Sequence, residues 1–138
     1  MASVKVHHVV YCVRPENQEA AAAFWRDLGC MFDQVPLEEE GIRVLLDWAS
    51  GIEIIAPTEP EGTETARFWA FLDNRGEGVY SVVVRTDEVA EPIQLAARHG
   101  AKVCYQQHRV NGENVVDEAD LTPVFGMAVT LLATNIRD

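Results

Sequence analysis

The sequence predicts an α+β chain of two β-α-β-β-β modules, and two matched phrases carry that expectation. Gly51-Ile52-Glu53-Ile54-Ile55-Ala56-Pro57 reads against Ala128-Val129-Thr130-Leu131-Leu132-Ala133-Thr134, apolar residue for apolar residue, with an acid in the first copy and a hydroxyl in the second. Upstream of each lies another match, Val6-His7-His8-Val9-Val10-Tyr11-Cys12-Val13 against Val79-Tyr80-Ser81-Val82-Val83-Val84. Each upstream phrase leads into a helix-like stretch that ends at Gly29 or Gly100. Self-similarity of this kind marks a duplicated module, here with chemically unequal copies.

Val4 to Val13 reads as the first strand because it is rich in valine. Alternation then puts Val6, His8, Val10 and Cys12 on one face and His7 on the other. Pro15-Glu16-Asn17 supplies the proline and acid of a helix start, and Ala20, Phe24, Trp25 and Leu28 follow at helical spacing as the sheet-covering face before Gly29. Residues 30–37 predict a strand ending near Pro36, and Glu38-Glu39-Glu40-Gly41 a polar turn. Ile42–Trp48 and Ile52–Ala56 form a hairpin turned at Ala49-Ser50-Gly51, which closes a first module over about residues 4–57.

Thr58–Gly62 has the composition of a surface connection, and Thr63–Leu72 that of a short helix. Its Phe68, Trp69, Phe71 and Leu72 either pack on the sheet or wall a ligand pocket. The second module, about residues 77–134, starts at Gly76-Glu77-Gly78 and takes Val79–Arg85 as its first strand. A helix over Glu91–His99 with Pro92 in its first turn, then strands at Lys102–Gln106, Asn114–Asp117 and Met127–Ala133, complete it. At 138 residues the two modules make one domain, residues 1–138, joined by the helical connection.

With 22 acidic and 11 basic residues the formal net charge is -11, which disfavours nucleic acid and anionic membrane surfaces as partners. Cys12, Cys30 and Cys104 make no Cys-x-x-Cys pair and read as buried reduced thiols, an expectation that points to the cytoplasm. The N-terminal phrase Met1–His8 has no apolar signal core, and no apolar run is long enough to cross a bilayer. No Gly-rich phosphate loop or Ser-His-Asp arrangement stands out.

The repeated order resembles the vicinal oxygen chelate superfamily, which includes glyoxalase I, extradiol dioxygenases, bleomycin-resistance proteins and methylmalonyl-CoA epimerases. Within it the likeness is to the epimerases, on His8-Val9-Val10, Pro36-Leu37-Glu38-Glu39-Glu40-Gly41-Ile42, Ile52-Glu53-Ile54-Ile55-Ala56-Pro57, the helix over residues 63–74 and Gly76-Glu77-Gly78-Val79. The resemblance implies a cupped mixed sheet, each module a half-cup, closing round a cleft, and a homodimer. Metal-binding members place one ligand in the first and one in the last strand of each module. The matching positions here are His8, Glu53, Ser81 and Thr130. Divalent Mn, Co, Ni and Zn favour imidazole and carboxylate, and neutral hydroxyls are weak ligands, so the metal site is expected to be degenerate. A divalent metal would need a remodelled ligand set, with Tyr80, Asp47 or His108 as replacements; no other cofactor is expected.

In the epimerases a metal stabilises an enolate while carboxylates on opposite faces of the substrate carry the α-proton. One of those bases matches Glu39; the other falls on Thr130, which is no base, so a one-base reaction is what the resemblance leaves. The expected activity is therefore a metal-independent isomerase or lyase acting on a small carbonyl compound, including an acyl-CoA. Glu39 would move the proton, and His8 with Glu53 would polarise the carbonyl in place of the metal. Tyr80, Ser81 and Thr130 offer hydroxyls to a ligand oxygen, Trp48 and Trp69 an apolar wall, and Arg67, Arg75, Lys102 and Arg109 cations for phosphates. The bland readings stand beside these: Glu39 as an acid of a solvated turn, His8 and Glu53 as a structural pair, Thr130 and the tryptophans as strand and core. The alternative function is non-catalytic sequestration of a small molecule.

Overall fold

The computed structural model describes residues 4–35, 40–60, 62 and 64–137. Its elements run β1 (Lys5–Cys12), a 3₁₀ turn (Pro15–Asn17), α1 (Gln18–Asp27), β2 (Asp33–Val35), β3 (Ile42–Asp47), β4 (Ile52–Pro57) and α2 (Ala66–Arg75). They continue with β5 (Gly78–Arg85), α3 (Ala90–Ala97), β6 (Val103–Asn111), β7 (Asn114–Leu121) and β8 (Val129–Thr134). The architecture is the α+β class expected from the repeat. Two compact units divide the chain, one of His8–Tyr80 and the other joining the residues up to His7 to those from Ser81 onward.

In the first unit the strand order is β2-β3-β4-β1, with β4 antiparallel to β3 and parallel to β1. Helix α1 covers one face, packing Ala22 against Leu45 and Ile54, with Ala21, Trp25, Phe32 and Ile52 around them. Ile54 turns to that side, so alternation sends Glu53 to the opposite face. The helix face differs from the one expected. Gln18, Ala21, Ala22 and Trp25 form the inward stripe, whereas Phe24 and Leu28 are 61% and 65% exposed. A buried amide sets that rotation: Gln18 Nε2 donates to the carbonyls of Arg43 (2.9 Å) and Ile54 (3.0 Å), and Arg43 Nη1 donates back to Gln18 Oε1 at 3.3 Å. A polar group so placed is buried without loss because its bonds are made inside.

The Gly76-Glu77-Gly78 phrase also has a structural use. Glu77 Oε2 accepts the Arg14 backbone N–H at 2.9 Å and Asn17 Nδ2 at 2.8 Å, tying the approach to β5 to the start of α1. The Asn17 and Arg14 bonds hold its carboxyl below the usual carboxylate range. Gly51 closes the β3–β4 hairpin at φ 73°, with its N–H on Asp47 O at 2.9 Å. At Gly41 a Cβ would lie 2.8 Å from the Glu59 Cβ, so only glycine fits that approach.

In the second unit the order is β5-β8-β7-β6, and α3 buries Ile93 and Ala96 against Ala101, Ala119, Leu121 and Leu131. The β6–β7 hairpin is longer than expected, running to Asn111 and starting again at Asn114. Its polar sequence hid it: Gln106, His108 and Val110 face outward in alternation with the half-buried Gln107 and Arg109. Cys12 and Cys30 are buried thiols, but Cys104 is exposed, on the outward face of β6. Among the described residues no helix is long and apolar enough to cross a membrane.

Candidate functional site

The two matched phrases form the same crossing in each unit. In the first, β1 and β4 are parallel with Val10 opposite Glu53; in the second, β5 and β8 are parallel with Val83 opposite Thr130. Even the flanking bonds repeat: Val9 N–H to Gly51 O is 2.8 Å, and Val82 N–H to Ala128 O is 3.0 Å. His8 and Ser81 each stand two residues before the register partner, so each shares a face with the residue at position 53 or 130.

What the crossings hold is different. His8 Nε2 lies 3.2 Å from Glu53 Oε1, and the side chains are 8% and 16% exposed. With a neutral ring this contact selects the tautomer with Nε2 protonated. The Trp48 ring meets His8 edge-on, centroids 5.9 Å apart and planes at 78°. Leu46 lies opposite Glu53 on β3. The structure thus brings His8, Glu53 and Trp48 together, an imidazole beside a carboxylate with an aromatic ring against its edge.

At the second crossing Ser81 Oγ and Thr130 Oγ1 are 2.8 Å apart, and Thr130 Oγ1 donates to Asp120 Oδ1 at 2.8 Å. Ser81 and Thr130 are each 3% exposed. Asp120 lies opposite Thr130 on β7, the register place that Leu46 holds in the first unit. The carboxylate of this module therefore stands one strand away from where the repeat would put it. Sequence reading missed Asp120 because it stopped that strand at Asp117. The signal was present in Asp117-Glu118-Ala119-Asp120-Leu121, whose alternation puts Glu118 and Asp120 on one face and Ala119 and Leu121 on the other.

The remaining candidates are distributed as follows. Tyr80 packs between Phe68 and Phe71, at 5.0 and 5.3 Å. Trp69 spends its one donor on the Glu59 carbonyl at 2.8 Å. Asp47 binds the Met31 and Ala49 N–H groups, both at 3.2 Å; burial pushes its carboxyl up, but bonds from Ser50, Met31 and Ala49 outweigh that and hold it low. His108 pairs with Asp117 on the β6–β7 hairpin. Arg67 lies over the Phe68 ring at 4.3 Å. Glu39 lies outside the described residues.

Residues 7–117 match the family described as the Glyoxalase/Bleomycin resistance protein/Dioxygenase superfamily. The chain belongs to that family, the vicinal oxygen chelate superfamily. Solved structures agree on the fold. A hypothetical protein of Bacillus halodurans C-125 is 17% identical with a TM-score of 0.75, covering 99% of both chains. A Streptomyces coelicolor methylmalonyl-CoA epimerase in complex with 2-nitronate-propionyl-CoA is 19% identical with a TM-score of 0.72, over 97% of this chain and 96% of that one. Methylmalonyl-CoA epimerase from Mycobacterium tuberculosis is 21% identical with a TM-score of 0.66, over 93% and 86%. No curated protein matches the chain. Among the described residues no three His, Cys, Asp or Glu side chains group to hold a metal ion.

Proposed function

We propose that this protein is a metal-independent isomerase or lyase acting on a small carbonyl compound, with an acyl-CoA thioester as the first class to try. The observation that carries the reading is the buried His8–Glu53 pair at 3.2 Å. A histidine and a carboxylate taken together out of water are costly unless paired, and a pair so kept is a frequent sign of acid–base chemistry. Glu53 fixes the ring and its tautomer, and the couple polarises the carbonyl oxygen. Glu39 takes the proton from the adjacent carbon, whose electron pair moves into the enolate. Return of the proton to that carbon gives isomerisation; loss of a leaving group from the next carbon gives elimination. Glu39 is assigned on the Pro36-Leu37-Glu38-Glu39-Glu40-Gly41 phrase, and the epimerase neighbours support the substrate class.

Deuterium uptake at the α-carbon tests this without knowing the product. Each member of a panel of acyl thioesters and small ketones is incubated with the protein in D₂O and followed by NMR. Uptake in the wild type that is lost in Glu39→Gln and reduced at least tenfold in His8→Ala is expected. Full uptake in Glu39→Gln removes the base assignment. The half-exposed Trp48 ring against His8 favours a second reading, a sequestering protein; tight binding with no uptake for any panel member would select it.

A further inference from the structure

Proton counting along Ser81, Thr130 and Asp120 decides what this row can offer a ligand. Each hydroxyl carries one proton, and an ionised carboxylate carries none. Thr130 gives its proton to Asp120 across 2.8 Å. The 2.8 Å contact between Ser81 Oγ and Thr130 Oγ1 must then be donated by Ser81. Both hydroxyl protons are spent inside, the Ser81 and Thr130 oxygens keep only acceptor capacity, and each bond polarises the next toward the carboxylate. The first unit has no such relay at the equivalent place, where Leu46 stands opposite Glu53.

We infer that Asp120 is a positioning and specificity-determining residue: through Thr130 it holds Ser81 as a hydrogen-bond acceptor, so this row takes a ligand group that donates, a hydroxyl or protonated amine. A carbonyl, carboxylate or phosphate oxygen finds no donor in the Ser81 and Thr130 hydroxyls. On this inference Ser81 and Thr130 accept from the ligand and do not donate to a ligand oxygen, which is the role the sequence suggested for their hydroxyls. The inference rests on the reading that the protein holds a small carbonyl compound, and it narrows that compound to one carrying a hydroxyl or amine.

The test uses the full chain and two matched probes, hydroxyacetone and acetone, with binding followed residue by residue through backbone amide shifts. Hydroxyacetone should shift the amides of residues 81, 120 and 130 and bind about fivefold tighter than acetone, the worth of one net hydrogen bond. Thr130→Ser keeps the relay and the preference. Thr130→Val frees the Ser81 proton and abolishes the preference, and Asp120→Leu, the residue type of the first unit, does the same if it folds. Equal binding of the two probes, or a preference that survives Thr130→Val, overturns the inference. If the amides of residues 8 and 53 respond while those of 81, 120 and 130 do not, the inference fails and the carbonyl reading stands; no response at either place removes both.

Discussion

The two strand crossings of this protein have one backbone and two chemistries. The β1–β4 crossing carries an imidazole and a carboxylate, and the β5–β8 crossing carries two hydroxyls that pass their protons to a carboxylate on the next strand. Register, parallel pairing and flanking bonds are the same in both. Duplication thus conserves what packing requires, the apolar residues on either side, while the polar positions between them diverge. That divergence leaves an imidazole–carboxylate pair at the β1–β4 crossing and a hydroxyl pair at the β5–β8 crossing.

The packing half of the comparison predicts the largest effects. Ile54 and Leu131 are equivalent, both buried, each facing its own helix. Replacing either by alanine should cost about 2–5 kcal/mol by urea denaturation, and a much larger loss at one would show that the copies are not packed alike. At the polar positions the effects are smaller. Glu53→Leu takes the carboxylate from His8, and Thr130→Val takes the link from Ser81 and Asp120; each should cost about 1–3 kcal/mol. Glu53→Gln and Thr130→Ser should recover much of it, because each keeps a hydrogen-bonding group in place.

Acid stability sharpens the comparison at Glu77, which belongs to the first unit. Its folded pKa lies below the ordinary 4.5, so its stabilising contribution is complete above pH 4.5 and is lost as the pH falls through the folded value. Glu77→Gln should therefore flatten the acid limb of the stability profile below pH 4.5 and destabilise the protein at neutral pH. An unchanged limb would show that Arg14 and Asn17 bind another group. The smallest effect is on thiol reactivity. Burial first, and the Glu77 charge second, push the Cys12 thiol up to about 12, whereas Cys104 is exposed. At pH 8 a disulfide reagent should modify Cys104 in the native protein and reach Cys12 only on unfolding.

The repeat made the fold legible in the sequence, because valine-rich strands and their apolar alternation are local signals. The nearness of His8 and Glu53 was legible for the same reason, because a strand residue's face follows from its position; Trp48, in the turn after β3, was legible only as a candidate apolar wall. Three features were not. The inward face of α1 depends on Gln18, a polar residue whose burial is decided by carbonyls distant in the chain. The extent of β6 and β7 was masked by their charged residues. Asp120 followed from that error, since its meaning comes only from pairing with Thr130 on β8.

We propose, as the central claim, that the protein works without a divalent ion. It is tested most directly by measuring metal content and melting temperature of the purified, tag-free protein before and after incubation with Mn²⁺, Co²⁺, Ni²⁺, Zn²⁺ and Fe²⁺. The account predicts no stoichiometric ion and no shift in melting temperature. A tightly bound ion at one per chain that raises the melting temperature in the wild type, and not in His8→Ala or Glu53→Gln, would contradict it.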